Sequence, residues 1–492
     1  MNLHWIDIGI IVTYLIVVAI IGFWVKNRAT AGLDNYYLAG RNIPWWLLGF
    51  AGCSSYIDIG GTMAMVGALF FLGLKSVWMT HIFWGWFIIA GYMAFQAKWI
   101  RRSGVMTFAE WNQTRFGNNR DAEMARIASA AFLLLLMIFN LIYIAVGIGK
   151  FAEEFLPFSR LGSTLIVFSI VGIYVTLAGM IGVIITDIIQ TILIAFGAVF
   201  LTFLAFSIGA GSNITDLASN GWRSLEPTWT LWSGFLESTP DSYHHFYFFG
   251  PLMMAGFGWM LFRVLAGPNV WDFQFFLTAR SPRDAALAGG MWTVGYTMRW
   301  FIGVAFLVLG MHYLNLDSGV ELATVDEPAT LTLGESTTQS LPVEPSLEPS
   351  AIPMSDTKSF DSEKIIPRVL SRLPIGIRGL FMAVLLAALM STLDAMINIT
   401  SSVVVNDFLK RYFLKKLKEK QLVRLGQLAS LVALLLGLVF SISFEDIISI
   451  WEMMVLVVVT MILVPSTMRW HWWRFSARAF VLSMVTSAAM IV

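Results

Sequence analysis

Cysteine, histidine and charge are what this 492-residue chain has least of, and each scarcity removes a class of function. The single cysteine, Cys53, rules out an intrachain disulfide, and among apolar neighbours it reads as a small packing residue. Six histidines stand scattered at positions 4, 81, 244, 245, 312 and 471 without an HExxH run, which excludes a clustered metallohydrolase site. No GxxxxGK[ST] segment occurs; "GALFFLGLKS" has the wrong spacing, so an ATP-driven pump is excluded. Charged residues make up 13% of the chain, against about a quarter in soluble domains. The net charge of +1, with basic residues gathered in short loops, points away from a nucleic-acid partner. What is plentiful is apolar: 57% hydrophobic and 14% aromatic residues, in repeated runs of about 18 or more. The chain therefore reads as an all-α polytopic membrane bundle with no room for a large soluble domain.

Twelve spans are expected, beginning near residues 5, 45, 77, 127, 162, 182, 246, 285, 376, 423, 447 and 476. The first, "WIDIGIIVTYLIVVAIIGFWV" from Trp5, lacks a basic leader and a small-residue cleavage site and is expected to be retained. The last runs apolar to Val492, as in a piece lacking later helices, although a natural end fits equally. If the N-terminus lies outside, 21 of the 32 Lys and Arg fall in inside loops, the asymmetry expected of a plasma or bacterial inner membrane protein. The segment from about His312 to Leu373 is rich in Ser, Thr, Pro and acids and is expected to be a disordered outside insertion. "MTFAEWNQTRFG" and "VWDFQFFLTARSPRDA" mix aromatics with charges, which suits short interfacial helices.

The chemistry gathers at three places. In "CSSYIDIGGTMA" a glycine pair, Gly60 and Gly61, and a carboxylate, Asp58, interrupt an apolar run beside Tyr56. A carboxylate at that depth costs about 2.5–3.5 kcal/mol unless it faces a cavity or partner. Non-helical backbone there must line a cavity or be buried in protein, and unwinding would free the carbonyls of Ser54 and Ile57 for a small hard cation. Close packing of helices on the glycines is the competing reading. In "LLAALMSTLDAMINITSS", Ala388, Ser391 and Thr392 share one helical face and offer two carbonyls and a hydroxyl at one height. Back-bonding of Ser and Thr to the preceding turn is the alternative. The third place is Asp187 in "GVIITDIIQT", which could share an ion with Asp394.

The segments "DNYYLAGRNIPWW", "TFAEWNQTRFG", "ITDIIQ" and "GIRGLFMAVLLAALMSTLDAMIN" together resemble the sodium:solute symporter family over about residues 5–475. The resemblance implies a LeuT-like five-plus-five inverted repeat with broken second and seventh spans. Its parts would be residues 1–44 (first span and linker), 45–209 (repeat one), 210–245 (outside loop), 246–467 (repeat two) and 468–492 (turn and further span). It implies a sodium site at Ser54, Ile57, Ala388 and Ser391 through carbonyls and Thr392 through its hydroxyl, with a possible second sodium at Asp187 and Asp394. It implies no cofactor, Na⁺ as coupling ion, a small solute as partner, and no enzymatic activity. "FRVLAGPNVWD", with Gly267-Pro268, fits the second break. Sugar-carrying members often have a Glu-Gln pair where this chain has Gly60-Gly61, which disfavours a plain hexose; a carboxylate, amino acid or sugar derivative remains. Arg263 and Arg299 are intramembrane cations in need of partners. Arg263 either faces the cavity, where its fork suits a carboxylate, or pairs with Asp58. Trp451 either stacks on a solute or is an ordinary interfacial aromatic. A sodium-binding channel or sensor on the same scaffold is the alternative function, and counterflow of labelled solute separates it from a carrier.

Overall fold

The computed structural model describes residues 3–55, 57–79, 86–153, 155, 158–209, 224–232, 235–267, 272–318, 362, 365–444, 447–454 and 460–491. Among them the regular elements are helices, with one isolated bridge between Ile43 and Ala279, and eight helices are long and apolar enough to cross a membrane. The first expected span is α1 (Trp5–Ala29). The second is split into α2 (Trp45–Ser54) and α3 (Ile59–Leu72). There follow α4 (Trp86–Ser103), the short α5 (Trp111–Phe116) and α6 (Arg120–Glu153). Expected spans five and six follow as α7 (Arg160–Gly209), two helical halves that meet at a kink at Gly179. Then come α8 (Phe249–Ala266), the short α9 (Phe273–Thr278) and α10 (Pro282–Ser318). A further short helix, α11 (Ile365–Arg372), leads to α12 (Ile377–Ser402), which continues in wider π-turns over Val403–Phe413. The chain ends with α13 (Glu419–Ser441), α14 (Ile447–Met453), α15 (Thr460–His471) and α16 (Ala477–Ile491).

Burial grades this bundle from rim to centre. Only 17% of the most apolar window of α1 is buried, against 89% for α12, so α1 lies at the rim and α12 is the central helix. Lipid is as apolar as leucine, so helix association depends on close backbone approach and buried polar contacts. Both are present. A Cβ on Gly52 of α2 would fall 1.9 Å from the Trp292 indole of α10, whose Nε1 donates to Leu48 O at 2.9 Å. Cys53 packs against Gly295 and is buried, the small-residue role its surroundings predict. Asp7 in the first turn of α1 is fully buried and paired with Arg378 of α12 at 2.8 Å, while the amides of Gly376 and Gly379 donate to its other oxygen at 2.8 and 2.9 Å.

One expectation needs correction. The segment His312–Leu373 is ordered at both ends: α10 runs to Ser318, and Ile365–Arg372 forms a helix that buries Ile365, Ile366, Val369 and Leu370. The apolar face of that helix, not its polar surroundings, decides its state. The two segments expected as short interfacial helices form α5 and α9. Trp111, Phe273, Phe275 and Phe276 are buried inside the protein because neighbouring helices cover their aromatic faces. Spans five and six meet at Gly179, whose non-helical backbone, with φ 52°, separates one helix from the next. A Cβ there would meet Tyr36 O at 2.6 Å. Gly179→Ala is therefore expected to cost about 1–3 kcal/mol from backbone strain alone, read as a lowered Tm with the helical circular dichroism retained.

Candidate functional site

The interruption of the second span is built by three residues, not by the glycine pair. α2 stops at Ser54, and the hydroxyls of Ser54 and Ser55 turn back to Ala51 O at 3.0 and 3.2 Å. Such back-bonding competes with the helical ladder and frees the next carbonyls. Asp58 then starts α3 as its N-cap, in extended conformation, with Oδ1 accepting from Gly61 N at 2.5 Å. Gly60 and Gly61 are inside the first turn of α3, so the expectation that they mark the unwound stretch is corrected: the described residues between the two helices are Ser55, Ile57 and Asp58. Tyr56 lies outside the described residues.

The carbonyls released by this break face α12. Ser391 Oγ donates to Ser54 O at 3.0 Å and Thr392 Oγ1 to Ser55 O at 3.2 Å, and both hydroxyls also reach Ala388 O, at 2.9 and 3.2 Å. Ile57 is buried beside them and its amide closes the turn onto Ser54 O at 2.9 Å. The five residues expected to form one site thus come together. Ser391 turns its hydroxyl toward the broken span.

Beside this cluster are the two carboxylates. Ser54 Oγ also donates to Asp187 O at 3.4 Å, tying the break to α7. Asp187 and Asp394 are both fully buried and interact electrostatically. Tyr174 Oη donates to Asp394 Oδ2 at 2.9 Å; Asp394 Oδ1 and both oxygens of Asp187 have no hydrogen-bond donor among the described residues. Buried oxygens are normally satisfied, so three orphaned carboxylate oxygens in one place call for a cation or a proton.

A third cluster lies on the other side of Asp58. Tyr143 Oη of α6 donates to Asp58 Oδ1 at 2.9 Å, and Arg299 Nη2 of α10 stands 3.7 Å from Asp58 Oδ2. The two glycines make this possible. A Cβ on Gly60 would meet Tyr143 Oη at 3.0 Å, and one on Gly61 would fall 2.0 Å from Arg299 Nη2. Ile447 of α14 also closes on Gly60, and Trp451, half-buried, follows one turn later on the same helix face. The pairing of Arg263 with Asp58 is corrected: Arg263 lies on α8, which packs against α15, with its guanidinium 5.2 Å from the Trp259 ring centroid, and the ion partner of Asp58 is Arg299. Both arginines are intramembrane in sequence, and hydropathy cannot say which shares a level with Asp58. α8 is unbroken over Phe249–Ala266 and ends where the second break is expected, at Gly267, with φ 91°; residues 268–271 lie outside the described ones.

Sequence reasoning missed two buried ion pairs and the tyrosines that hold the carboxylates. At the end of the bundle bearing the most basic loops, Arg126 pairs with Asp407 at 2.7 Å, both side chains buried. Asp7–Arg378 is the other. An acid in the first turn of an otherwise apolar run was the available signal for the latter.

Comparison with known proteins agrees with this architecture. The family described as "Sodium:solute symporter family" matches residues 36–316 and 349–485. The chain is 26% identical over 454 residues to the sodium/glucose cotransporter of Vibrio parahaemolyticus, covering 89% of this chain and 74% of that one. It is 26% identical over 452 residues to sodium/glucose cotransporter 4 of Mus musculus, covering 87% of this chain but 59% of the relative's length. Its fold is similar to that of a Na⁺-coupled sialic acid symporter in a substrate-bound outward-open state, with a TM-score of 0.70, 16% identity, and 99% of this chain and 96% of that one covered. It is also similar to MhsT in complex with L-phenylalanine, with a TM-score of 0.53, 12% identity, and 90% and 96% covered. The fold is LeuT-like. On a match that spans most of its length, the chain belongs to the sodium:solute symporter family, whose members are Na⁺-coupled membrane carriers and not enzymes.

Proposed function

We propose that this chain imports a small organic solute by sodium-coupled alternating access, with the N-terminus outside and residues 45–209 and 246–467 as the two repeats. One observation carries the reading: main-chain oxygens of Ser54 and Ser55 at a helix break meet the hydroxyls of Ser391 and Thr392 of the central helix. Sodium needs several oxygen donors and no proton chemistry. The carbonyls of Ser54, Ile57 and Ala388 with these two hydroxyls supply a neutral oxygen cage, and the hydroxyl protons that now point at carbonyls would rotate away as the ion enters. Asp187 and Asp394 are the place for a second cation.

Coupling follows from differential affinity, since a ligand moves a conformational equilibrium only as far as it prefers one state. Sodium that binds the outward-open form better than the inward-open one readies the cavity at Asp58, Arg299 and Trp451 for solute. A tenfold sodium gradient is worth about 1.4 kcal/mol, and one charge crossing 100 mV adds about 2.3 kcal/mol. Roughly 3.7 kcal/mol per ion supports on the order of 500-fold accumulation of a neutral solute.

The test is sodium-dependent stabilisation of the purified chain, which reports binding to the folded state directly. Thr392→Ala removes one of five oxygens and is expected to raise the sodium concentration for half-maximal stabilisation about tenfold, with the sodium-free Tm little changed. An unaltered sodium response would remove Thr392 from the cage.

A further inference from the structure

We infer that the groove between α4 and α10 is a binding site for an anionic phospholipid of the inside leaflet, with an acyl chain along the groove and the phosphate at Lys98, Arg102 and Arg283. Its place in the inside leaflet follows from the orientation proposed above; the site itself does not depend on it.

The groove is opened by small residues. It measures about 710 Å³, and Ala94 of α4 and Ala286 and Gly290 of α10 are among its lining residues. A Cβ on Gly290 would have no atom within 4 Å, whereas one on its neighbour Gly289 would meet Ala94 N at 3.2 Å. The two helices therefore touch at Gly289 and part at Gly290. Phe95, Leu287 and Trp45 also line the groove and are 57%, 42% and 38% exposed, so it opens on the outer face of the bundle. Lipid is the solvent of that face. An unfilled groove forfeits dispersion contacts along its walls, and an acyl chain restores them.

Charge then selects the headgroup. On α4, Phe95, Lys98 and Arg102 follow one another at i, i+3 and i+7, and on α10 Arg283, Leu287 and Gly290 do so at i, i+4 and i+7, so each helix carries one stripe from apolar to cationic. The helices run antiparallel, Ala94 beside Gly289 and Arg101 Nε donating to Ala279 O, and both stripes end in cations at the same end. Lys98, Arg102 and Arg283 are exposed there. Two acids stand near this end, and both are engaged. Asp284 is buried, with Arg280 at 3.6 Å and the Trp45 amide donating to it at 3.1 Å, and Asp34 pairs with Arg41 at 3.3 Å. Cations at the end of an apolar groove match a phosphate that carries a chain, and basic residues at this level are drawn to anionic lipid. Trp45 marks the same level with a ring suited to the headgroup boundary. A choline headgroup would bring a further cation to the three already present; a glycerol headgroup brings none.

The test is native mass spectrometry of the purified full chain titrated with dioleoyl phosphatidylglycerol or dioleoyl phosphatidylcholine, which share their chains and differ in charge. The native chain is expected to retain one phosphatidylglycerol at a concentration about tenfold below that needed for phosphatidylcholine. Gly290→Leu fills the groove with all three cations in place, and leucine suits both helix and lipid, so it is expected to weaken phosphatidylglycerol about fivefold without loss of fold. Lys98→Gln/Arg283→Gln should bring the two lipids to within about threefold of each other. Equal retention of the two lipids by the native chain would overturn the inference. Phosphatidylglycerol binding that Gly290→Leu leaves unchanged would overturn it as well, because surface charge alone would then hold the lipid. So would a dimer that Gly290→Leu dissociates, since a second copy of the chain would then fill the groove.

Discussion

Asp7→Ala is expected to destabilise the folded chain by about 3–5 kcal/mol, among the largest single effects in the molecule. Asp7 is fully buried where α1 crosses α12, and its carboxylate answers four donors: Nε and Nη2 of Arg378 and the amides of Gly376 and Gly379. The crossing is so close that a Cβ on Gly379 would lie 2.5 Å from Asp7 Cα. Removing the acid strands a buried guanidinium and two amides. The measurement is Tm in detergent for Asp7→Ala, Arg378→Ala and the double variant. The double variant should be much less destabilised than the sum of the singles, because removing both charges leaves none stranded. Additive losses would show that the pair is not coupled.

Asp187→Asn is expected to act in the opposite direction on the sodium-free protein and raise its Tm. Two carboxylates share a fully buried place where three of their four oxygens lack a donor among the described residues, and each unneutralised charge costs several kcal/mol there. The amide removes one such charge at constant shape. The same change should shrink the extra stability gained on adding sodium, and bring the Hill coefficient for sodium from above one to about one if the pair holds the second ion. A lowered sodium-free Tm would mean that the carboxylates are neutralised within the protein and hold no cation.

Much of the site is legible in the sequence because its parts violate the rules of an apolar span. Asp58, Asp187 and Asp394 are costly at membrane depth, and Ala388, Ser391 and Thr392 fall on one helix face by spacing alone. Their meeting is not legible: Ser54 and Ser391 are 337 residues apart, and only the packing of α2 on α12 joins them. The cause of the break was also misread, since glycines draw attention in a helix while the stop comes from serine hydroxyls and the restart from an aspartate cap. The glycines serve instead as sockets, for Tyr143 and for Arg299. The choice between Arg263 and Arg299 turned on which helix stands beside α3, and that is a tertiary fact. Gly179 shows the same limit: its need for positive φ is visible only once Tyr36 is placed against it.

Everything in the functional account depends on an alkali ion held between the interrupted second span and α12. The most direct measurement is equilibrium binding of radioactive sodium to the purified chain and to the Ser391→Ala/Thr392→Ala double variant. Saturable binding that unlabelled sodium displaces and potassium does not, weakened at least tenfold in the double variant, is the predicted result. Binding that is absent from the native protein, or that survives loss of both hydroxyls unchanged, would contradict it.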